Sequence, residues 1–153
     1  MRGCRAAGFW IFLALTGLVA ASWAPAESKS DWQAPPDAKN MKNPVPANDA
    51  ALAAGKSQFA DKCAKCHGDD GDGKGMEAEM YAVSPADFTD WRLMSEMTDG
   101  ELFWKITEGR RPMPSFKKQF TDEQRWQLVN YIRTFAKPPA PPTPPAKRPP
   151  RKK

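Results

Sequence analysis

The sequence of 153 residues predicts one small all-α domain, over about residues 49–137. Asn48, Thr98 and Thr121 can each cap a helix, and each precedes apolar residues spaced three and four apart. No stretch alternates apolar and polar residues as a strand does. A core of this size is marginal by itself, so we expect a covalent staple or a bound group to support it.

The first helix begins at Asn48 or Asp49, either of which can accept a hydrogen bond from the first turn. Its apolar face carries Leu52, Gly55, Phe59 and Cys63. A glycine-rich loop follows at residues 69–75, and a proline-containing turn at residues 84–90. The glycines in and beside the loop predict tight backbone turns; they are Gly68, Gly71, Gly73 and Gly75.

A capping box at residues 98–101 predicts a second, shorter helix. Its apolar face consists of Leu102, Phe103 and Ile106. Gly109 suits the end of this helix, because glycine readily forms a C-terminal cap. The loop that follows is stiff, since Pro112 and Pro114 fix the backbone on both sides of Met113.

A second capping signal at residues 121–124 predicts the last helix, which Pro138 ends. The apolar stripe of this helix is Leu128, Tyr131, Ile132 and Phe135. These spacings of three and four residues indicate one buried face.

Residues 1–26 resemble an export signal, with two arginines, an apolar run and a cleavage site at residues 24–26. The same run is just long enough to be an uncleaved membrane anchor. Either alternative predicts a periplasmic domain, free or tethered to the inner membrane. Residues 27–48 are polar with four prolines, which predicts an extended arm. Trp32 either pins this arm to the domain or is loosely packed.

The charge of the chain is uneven. Residues 137–153 carry six of the 23 Lys and Arg, whereas all 18 acids lie within residues 27–123. The sequence pI of about 9.2 therefore reflects the tail, residues 138–153, which we expect to be disordered. The tail is either a solubilising segment or a contact for an acidic partner or membrane lipids. We expect no nucleic-acid partner.

Cys63, Cys66 and His67 form a Cys-x-x-Cys-His sequence that contains the only histidine. Zinc needs converging ligands, and neighbouring residues on a helix diverge. A thioredoxin-like disulfide requires a βαβ setting, which the helical pattern lacks. Two thiols one turn apart suit the two vinyl groups of a porphyrin, and the next imidazole can face its iron. The motif therefore predicts one covalently attached haem c, which also enlarges the core.

The sixth iron ligand is then a Met, a Lys or an open position, because no second histidine exists. Met113 is our candidate, since two prolines hold it in a rigid loop. Thioether ligation raises the reduction potential of haem and closes the iron to small molecules. This pattern predicts an electron carrier and no enzyme activity.

With these elements the sequence resembles the class I c-type cytochromes of the monohaem bacterial type. The resemblance covers about residues 48–136 and rests on the stretches CAKCHG, RPMPSF and QRWQLVNYIRTF. In that family a Gly and an aromatic of the first helix pack on the last helix; Gly55, Phe59, Leu128 and Tyr131 match this pattern. The resemblance implies a cytochrome c-like set of helices wrapped round one covalently attached haem.

The resemblance also implies contacts to the haem and its ligands. A proline carbonyl holds the second nitrogen of the proximal histidine in this family, and Pro85 is the candidate. Candidates for bonds to the haem propionates are Trp91, Arg92 and Arg110, with surface or core roles as the alternative.

The implied function is single-electron transfer between periplasmic or membrane redox partners, such as a membrane oxidase, a quinol-oxidising complex or a dehydrogenase. One alternative is a fixed haem subunit of a respiratory or dehydrogenase complex. Another is a gas-binding or peroxidase-like haem domain, which requires an open sixth position.

Overall fold

Six α-helices and one turn of 3-10 helix lie in residues 32–139, the part of the chain that the computed structural model describes. The helices are α1 (Pro36–Asn40), α2 (Asp49–Lys62), α3 (Ala64–His67), α4 (Trp91–Glu96), α5 (Asp99–Glu108) and α6 (Asp122–Arg133), and the 3-10 turn is Ala78–Met80. This range contains no strand, only one isolated antiparallel bridge between Arg110 and Met113. The predicted all-α class is confirmed.

Three helices begin at the predicted caps, which are Asn48, Thr98 and Thr121. At α6 the capping box is complete, since Thr121 and Gln124 each bond the other's backbone N–H through the side chain. At α5 only half of the box forms. Thr98 accepts the N–H of Glu101, but the Glu101 carboxylate pairs with Lys105 at 2.9 Å. The expected reciprocal bond is therefore replaced by an ion pair within the helix.

Helices α2 and α6 cross in close contact, and this crossing organises the core. A Cβ atom at Gly55 would lie 2.3 Å from the carbonyl oxygen of Gln127, so only glycine permits the approach. One turn further on, the ring of Phe59 lies 5.5 Å from that of Tyr131 and 5.1 Å from that of Phe135, between centroids. The packing implied by the resemblance is present, with Leu128 fully buried in the same core.

The end of the last helix differs from the prediction. Helix α6 ends at Arg133, before Phe135 and Pro138. The hydroxyl of Thr134 donates to the carbonyl oxygen of Tyr131 at 2.6 Å, which competes with continuation of the helix. Phe135 still packs on Phe59, because the chain beyond the cap stays against the core.

The arm is not extended throughout, because Pro36–Asn40 forms helix α1. Pro36 occupies a first-turn position where its missing N–H costs nothing, and Asp37 suits the positive end of the helix. Ala34 and Ala38 are buried against the domain. The arm is thus part of the packed unit.

None of the helices in residues 32–139 is long and apolar enough to span a membrane. The predicted signal or anchor, and the tail from residue 140 onward, lie outside the described residues.

Candidate functional site

The Cys-x-x-Cys-His motif spans the junction of α2 and α3. Cys63 caps the end of α2, and Cys66 and His67 complete the single turn of α3. The backbone N–H groups of Cys66 and His67 both donate to the carbonyl oxygen of Cys63, at 3.1 and 2.9 Å. Both cysteines are half-buried free thiols. The two thiols therefore lie one helical turn apart, the spacing that the attachment of a porphyrin requires.

The imidazole of His67 is held by one hydrogen bond and one stacked ring. Its Nδ1 atom lies 3.1 Å from the carbonyl oxygen of Ala86. A carbonyl can only accept, so Nδ1 carries the proton and Nε2 keeps its lone pair. Burial lowers the pKa of His67, which the bond to Ala86 partly opposes. The Phe88 ring stacks on the imidazole at 4.5 Å between centroids. A neutral, oriented imidazole of this kind suits a metal ligand.

The acceptor of this bond is Ala86, so the expectation for Pro85 is wrong by one residue. The carbonyl oxygen of Pro85 instead faces Gly73, where an added Cβ atom would lie 2.9 Å away. Phe88 fixes the register of this turn, because its N–H donates to the carbonyl oxygen of Gly71 at 2.7 Å. Sequence reasoning missed Ala86 and Phe88; an aromatic three residues after the proline was the available signal.

The glycine-rich loop folds back over α3. The N–H of Gly73 donates to the carbonyl oxygen of His67 at 2.8 Å. The N–H of Gly75 donates to the carbonyl oxygen of Cys66 at 3.1 Å. Gly68, Gly71 and Gly73 have positive φ, which fits the tight turns predicted there. Gly75 does not, but an added Cβ atom at this residue would lie 2.4 Å from the carbonyl oxygen of Lys65. Glu77 adds a side-chain contact, with its carboxylate 3.9 Å from the Cys66 sulfur and 3.3 Å from Lys65 Nζ. The loop thereby fixes the motif from outside.

Burial raises the pKa of Cys63 to about 12, and it also raises the pKa of Cys66. Both groups therefore favour the neutral thiol. Within residues 32–139 no group of three or more His, Cys, Asp or Glu could hold a metal ion. The described residues do not support the zinc alternative.

The loop that carries Met113 is fastened to the end of α5. Gly109 begins the loop with φ +64°, and an added Cβ atom there would lie 2.5 Å from the carbonyl group of Pro114. The N–H of Met113 donates to the carbonyl oxygen of Arg110 at 2.8 Å. Beyond Met113, the hydroxyl of Ser115 donates to the carbonyl oxygen of α5 residue Thr107 at 2.6 Å. The loop is therefore held on both sides of the methionine.

Met113 is half-buried and packs against the same core cluster as Cys63 and Ala86. Cys63 and Met113 therefore pack on one apolar core. The imidazole of His67 stacks on Phe88 of that core, and Cys66 lies one helical turn from Cys63. This donor set fits a haem c, which needs two thiols for its vinyl groups and axial ligands for its iron. Other methionines lie differently: Met94 is 1% exposed in the core, whereas Met76 is 92% and Met80 72% exposed.

Trp91 and Arg92 begin helix α4 as exposed residues. Arg110 is exposed too, and its guanidinium carbon lies 5.3 Å from the ring centroid of Trp32. Their role at the haem propionates stays a prediction.

A cavity of about 530 Å³ lies beside the glycine-rich loop. Its lining residues are Gly73, Lys74, Gly75, Met76, Ala78, Glu79, Tyr81, Ser84 and Pro85. The candidate attachment and ligand residues are absent from this lining, so we do not assign the cavity to haem.

Comparison with known proteins agrees with a covalently bound haem c. Residues 50–132, more than half of the chain, match the family model described as "Cytochrome C oxidase, cbb3-type, subunit III". Cytochrome c6 of Rippkaea orientalis is 34% identical over 89 residues, which cover 58% of this chain and 73% of that protein.

Two solved structures are also similar. The Kuenenia stuttgartiensis reducing HAO-like protein complex Kustc0457/Kustc0458 matches with a TM-score of 0.55 and 27% identity, over 63% of this chain and 50% of that one. The present chain thus spans half the length of that neighbour. The KustC0563 c-type cytochrome matches with a TM-score of 0.48 and 28% identity, over 54% of this chain and 98% of that one. On the family match and the cytochrome c6 relative, the chain belongs to this family and is a class I monohaem c-type cytochrome with covalently bound haem c.

Proposed function

We propose that this cytochrome carries single electrons with its iron held between Nε2 of His67 and the sulfur of Met113. Cys63 and Cys66 form the thioether links. The observation that carries this proposal is the 3.1 Å contact between His67 Nδ1 and the Ala86 carbonyl oxygen, which leaves Nε2 free for the iron.

The haem would supply a one-electron couple when bound, and His67 and Met113 would hold its iron. His67 is oriented by Ala86 and by the stacked Phe88 ring. Met113 is positioned by its own N–H bond to the Arg110 carbonyl oxygen and by a loop whose two ends are each bonded to α5. Rigid ligands of this kind change little between ferrous and ferric iron, which favours rapid electron exchange.

A carrier is favoured over an enzyme because a thioether in the sixth position denies iron to small molecules. The chain also contains a single histidine, so a gas-binding or peroxidase-like site would lack a distal imidazole. We therefore propose that the protein has no catalytic activity of its own.

The partner is a redox protein, and we propose that charge guides its approach to the Met113 loop. Arg111 and Lys118 are exposed, and neither pairs with a carboxylate in the described part of the chain. Lys117 pairs only loosely with Glu108, at 3.7 Å. Exposed cations around an apolar centre suit brief docking on an acidic protein surface.

We further propose that the protein acts in the periplasm, on the strength of the export signal at residues 1–26. A fixed subunit of a respiratory complex is the second candidate, because the matching family model is named after an oxidase subunit. Expression of the full chain followed by osmotic release distinguishes the two. Release of the haem protein without detergent supports the carrier, whereas co-purification with a membrane complex supports the subunit.

The ligation is tested by optical spectra of the holoprotein, oxidised and reduced, with and without carbon monoxide. We expect low-spin spectra that do not respond to carbon monoxide, and a ferric red-edge band typical of iron–thioether ligation. Met113→Ala should abolish that band, whereas Met80→Ala, at an exposed site, should keep it. A wild-type ferrous protein that binds carbon monoxide would refute the His67/Met113 assignment.

A further inference from the structure

We infer that Trp32, which lies in the arm before the haem-binding helices, is a positioning residue for the loop that holds Met113. The inference rests on the proposed ligation of iron by Met113. The arm would then help to keep the Met113 sulfur on the iron, in addition to packing on the helices.

The Trp32 ring connects the start of the loop to the outer face of α5. The guanidinium carbon of Arg110 lies 5.3 Å from the ring centroid, and Lys105 Nζ lies 5.5 Å from it. The ring of Trp104 is 6.4 Å away between centroids, tilted by 52°. Two cations on one indole are held by attraction to its π-electrons. Arg110 is thus restrained by its side chain as well as by its backbone.

Arg110 is bonded directly to the methionine, so restraint of one residue limits the motion of the other. Arg110 and Met113 form the isolated antiparallel bridge, and the Met113 N–H donates to the Arg110 carbonyl oxygen at 2.8 Å. The far side of the loop is fixed separately, by Ser115 and Phe116 on the last turn of α5. On the near side the N–H of Gly109 donates to the carbonyl oxygen of Lys105 at 2.9 Å, which is a backbone restraint alone. The contact of Arg110 with Trp32 adds a side-chain restraint on that side.

The indole can act as a support because the arm itself is firmly seated. The hydroxyl of Thr98 donates to the carbonyl oxygen of Lys39 at 2.8 Å. An added Cβ atom at Gly100 would lie 1.9 Å from the carbonyl oxygen of Ala38, so α1 lies directly on the start of α5. Ala34, two residues after Trp32, is 4% exposed. The arm therefore holds the ring at a fixed distance from the loop.

The test compares Trp32→Leu, which keeps an apolar side chain without a π-face, with Trp32→Phe, which keeps an aromatic ring. Both are made in the full-length ferric holoprotein. The first readout is the rate at which added imidazole displaces the thioether, followed by loss of the red-edge band. The second is hydrogen exchange of the Met113 amide compared with amides of α6. Gln33→Ala, at an exposed neighbouring site, serves as the control.

We expect imidazole displacement to be about two- to fivefold faster in Trp32→Leu, as loss of a cation–π contact implies. The Met113 amide should exchange faster by a similar factor while α6 amides stay unchanged, and Trp32→Phe and Gln33→Ala should resemble the wild type. Equal imidazole rates in Trp32→Leu and the wild type would overturn the inference. So would faster exchange that is uniform across the loop and α6, because it would indicate global destabilisation.

The two proposals fail separately. If the wild type lacks the thioether band, the Met113 assignment fails, and amide exchange alone then decides the role of Trp32. Unchanged exchange of Met113 in Trp32→Leu would reject that role, and selectively faster exchange would support it.

Discussion

The hydroxyl of Ser115 donates a hydrogen bond of 2.6 Å to the carbonyl oxygen of Thr107. Thr107 lies in the last turn of α5, where backbone carbonyls have no partner within the helix. The bond therefore completes the helix end and ties the Met113 loop to it. The next residue repeats this connection, since the N–H of Phe116 donates to the carbonyl oxygen of Ile106 at 3.1 Å. The axial loop and the end of α5 form one unit.

Ser115→Ala removes the side-chain half of this connection. We expect a cost of about 0.5–1.5 kcal/mol, the usual contribution of such a hydrogen bond, and we expect it locally at the loop. In thermal melts of the ferric protein, the thioether band should disappear at a lower temperature than helical circular dichroism. Ser95→Ala is the matched control, because Ser95 makes a similar bond to Arg92 at an exposed site. Coincident melting of the two signals in Ser115→Ala would contradict the local effect.

At Gly55 we expect a Gly→Ala substitution to destabilise the protein, although the same change usually stabilises a helix. Within an exposed helix, Gly→Ala stabilises by roughly 1 kcal/mol. At Gly55 the new Cβ atom would lie 2.3 Å from the carbonyl oxygen of Gln127, so the helices must separate. We expect Gly55→Ala to lower the free energy of unfolding by about 1–3 kcal/mol. Guanidinium unfolding of the holoprotein measures this change, with Ser57→Ala on the exposed side of α2 as the control. A stabilised Gly55→Ala protein would refute the close crossing.

Structural features that depend on residues close together in the chain could be predicted from the sequence. Caps at Asn48, Thr98 and Thr121 act within one turn, so the residues that define them are adjacent in the chain. The same holds for the haem motif, where Cys63 and Cys66 are separated by one turn of helix. These features were predicted for that reason.

Contacts made by backbone atoms or by distant residues could not be predicted in this way. Any residue near position 85 offers a carbonyl, so the sequence could not distinguish Pro85 from Ala86. The arm was expected to be extended because its polar, proline-rich composition has no period, yet Asn43 bonds Asn130 across 87 residues. Such a pairing has no local signature and follows only from the folded arrangement.

Asp87 gives the domain a pH-dependent contribution to stability. Both the hydroxyl and the N–H of Thr89 donate to its carboxylate, at 2.6 and 2.8 Å, and the hydroxyl bond is the main cause of its lowered pKa. A depressed pKa stabilises the fold above the ordinary value of 3.8, and this stabilisation is lost as the pH falls through the folded-state value.

Thr89→Val keeps the shape of the side chain but removes the hydroxyl. We expect the variant to be less stable than the wild type at pH 7, by roughly 1 kcal/mol or less at this exposed site. The difference should shrink as the pH falls below 3.8 and through the lower folded-state pKa of Asp87, because the carboxyl then becomes protonated in both proteins. Urea unfolding at pH 7 and pH 3 measures it, and Thr89→Ser should behave as the wild type. A difference that is the same at both pH values would show that Asp87 is not its source.

Asn43 joins the arm to the last helix through its amide nitrogen, and its amide oxygen bonds within the arm. Its Nδ2 group donates to Asn130 Oδ1 at 2.8 Å and to the carbonyl oxygen of Trp126 at 3.2 Å, while its Oδ1 accepts the N–H of Val45 at 2.9 Å. Asn130 returns a bond of 3.0 Å to the carbonyl oxygen of Val45. This closed arrangement leaves no amide atom of Asn43 without a partner.

Asn43→Ala removes three hydrogen bonds from this network and leaves partly buried groups unpaired. We expect the free energy of unfolding to fall by about 1–3 kcal/mol. Limited proteolysis should then cut residues 41–47 faster than in the wild type, because the arm detaches before the helices unfold. Asn40→Ala, an identical change at an exposed site of α1, controls for the loss of an amide. If both variants match the wild type in unfolding and in cleavage, the arm is not held by Asn43. If Asn43→Ala alone is cleaved faster, the hydrogen bonds of Asn43 hold the arm on the last helix.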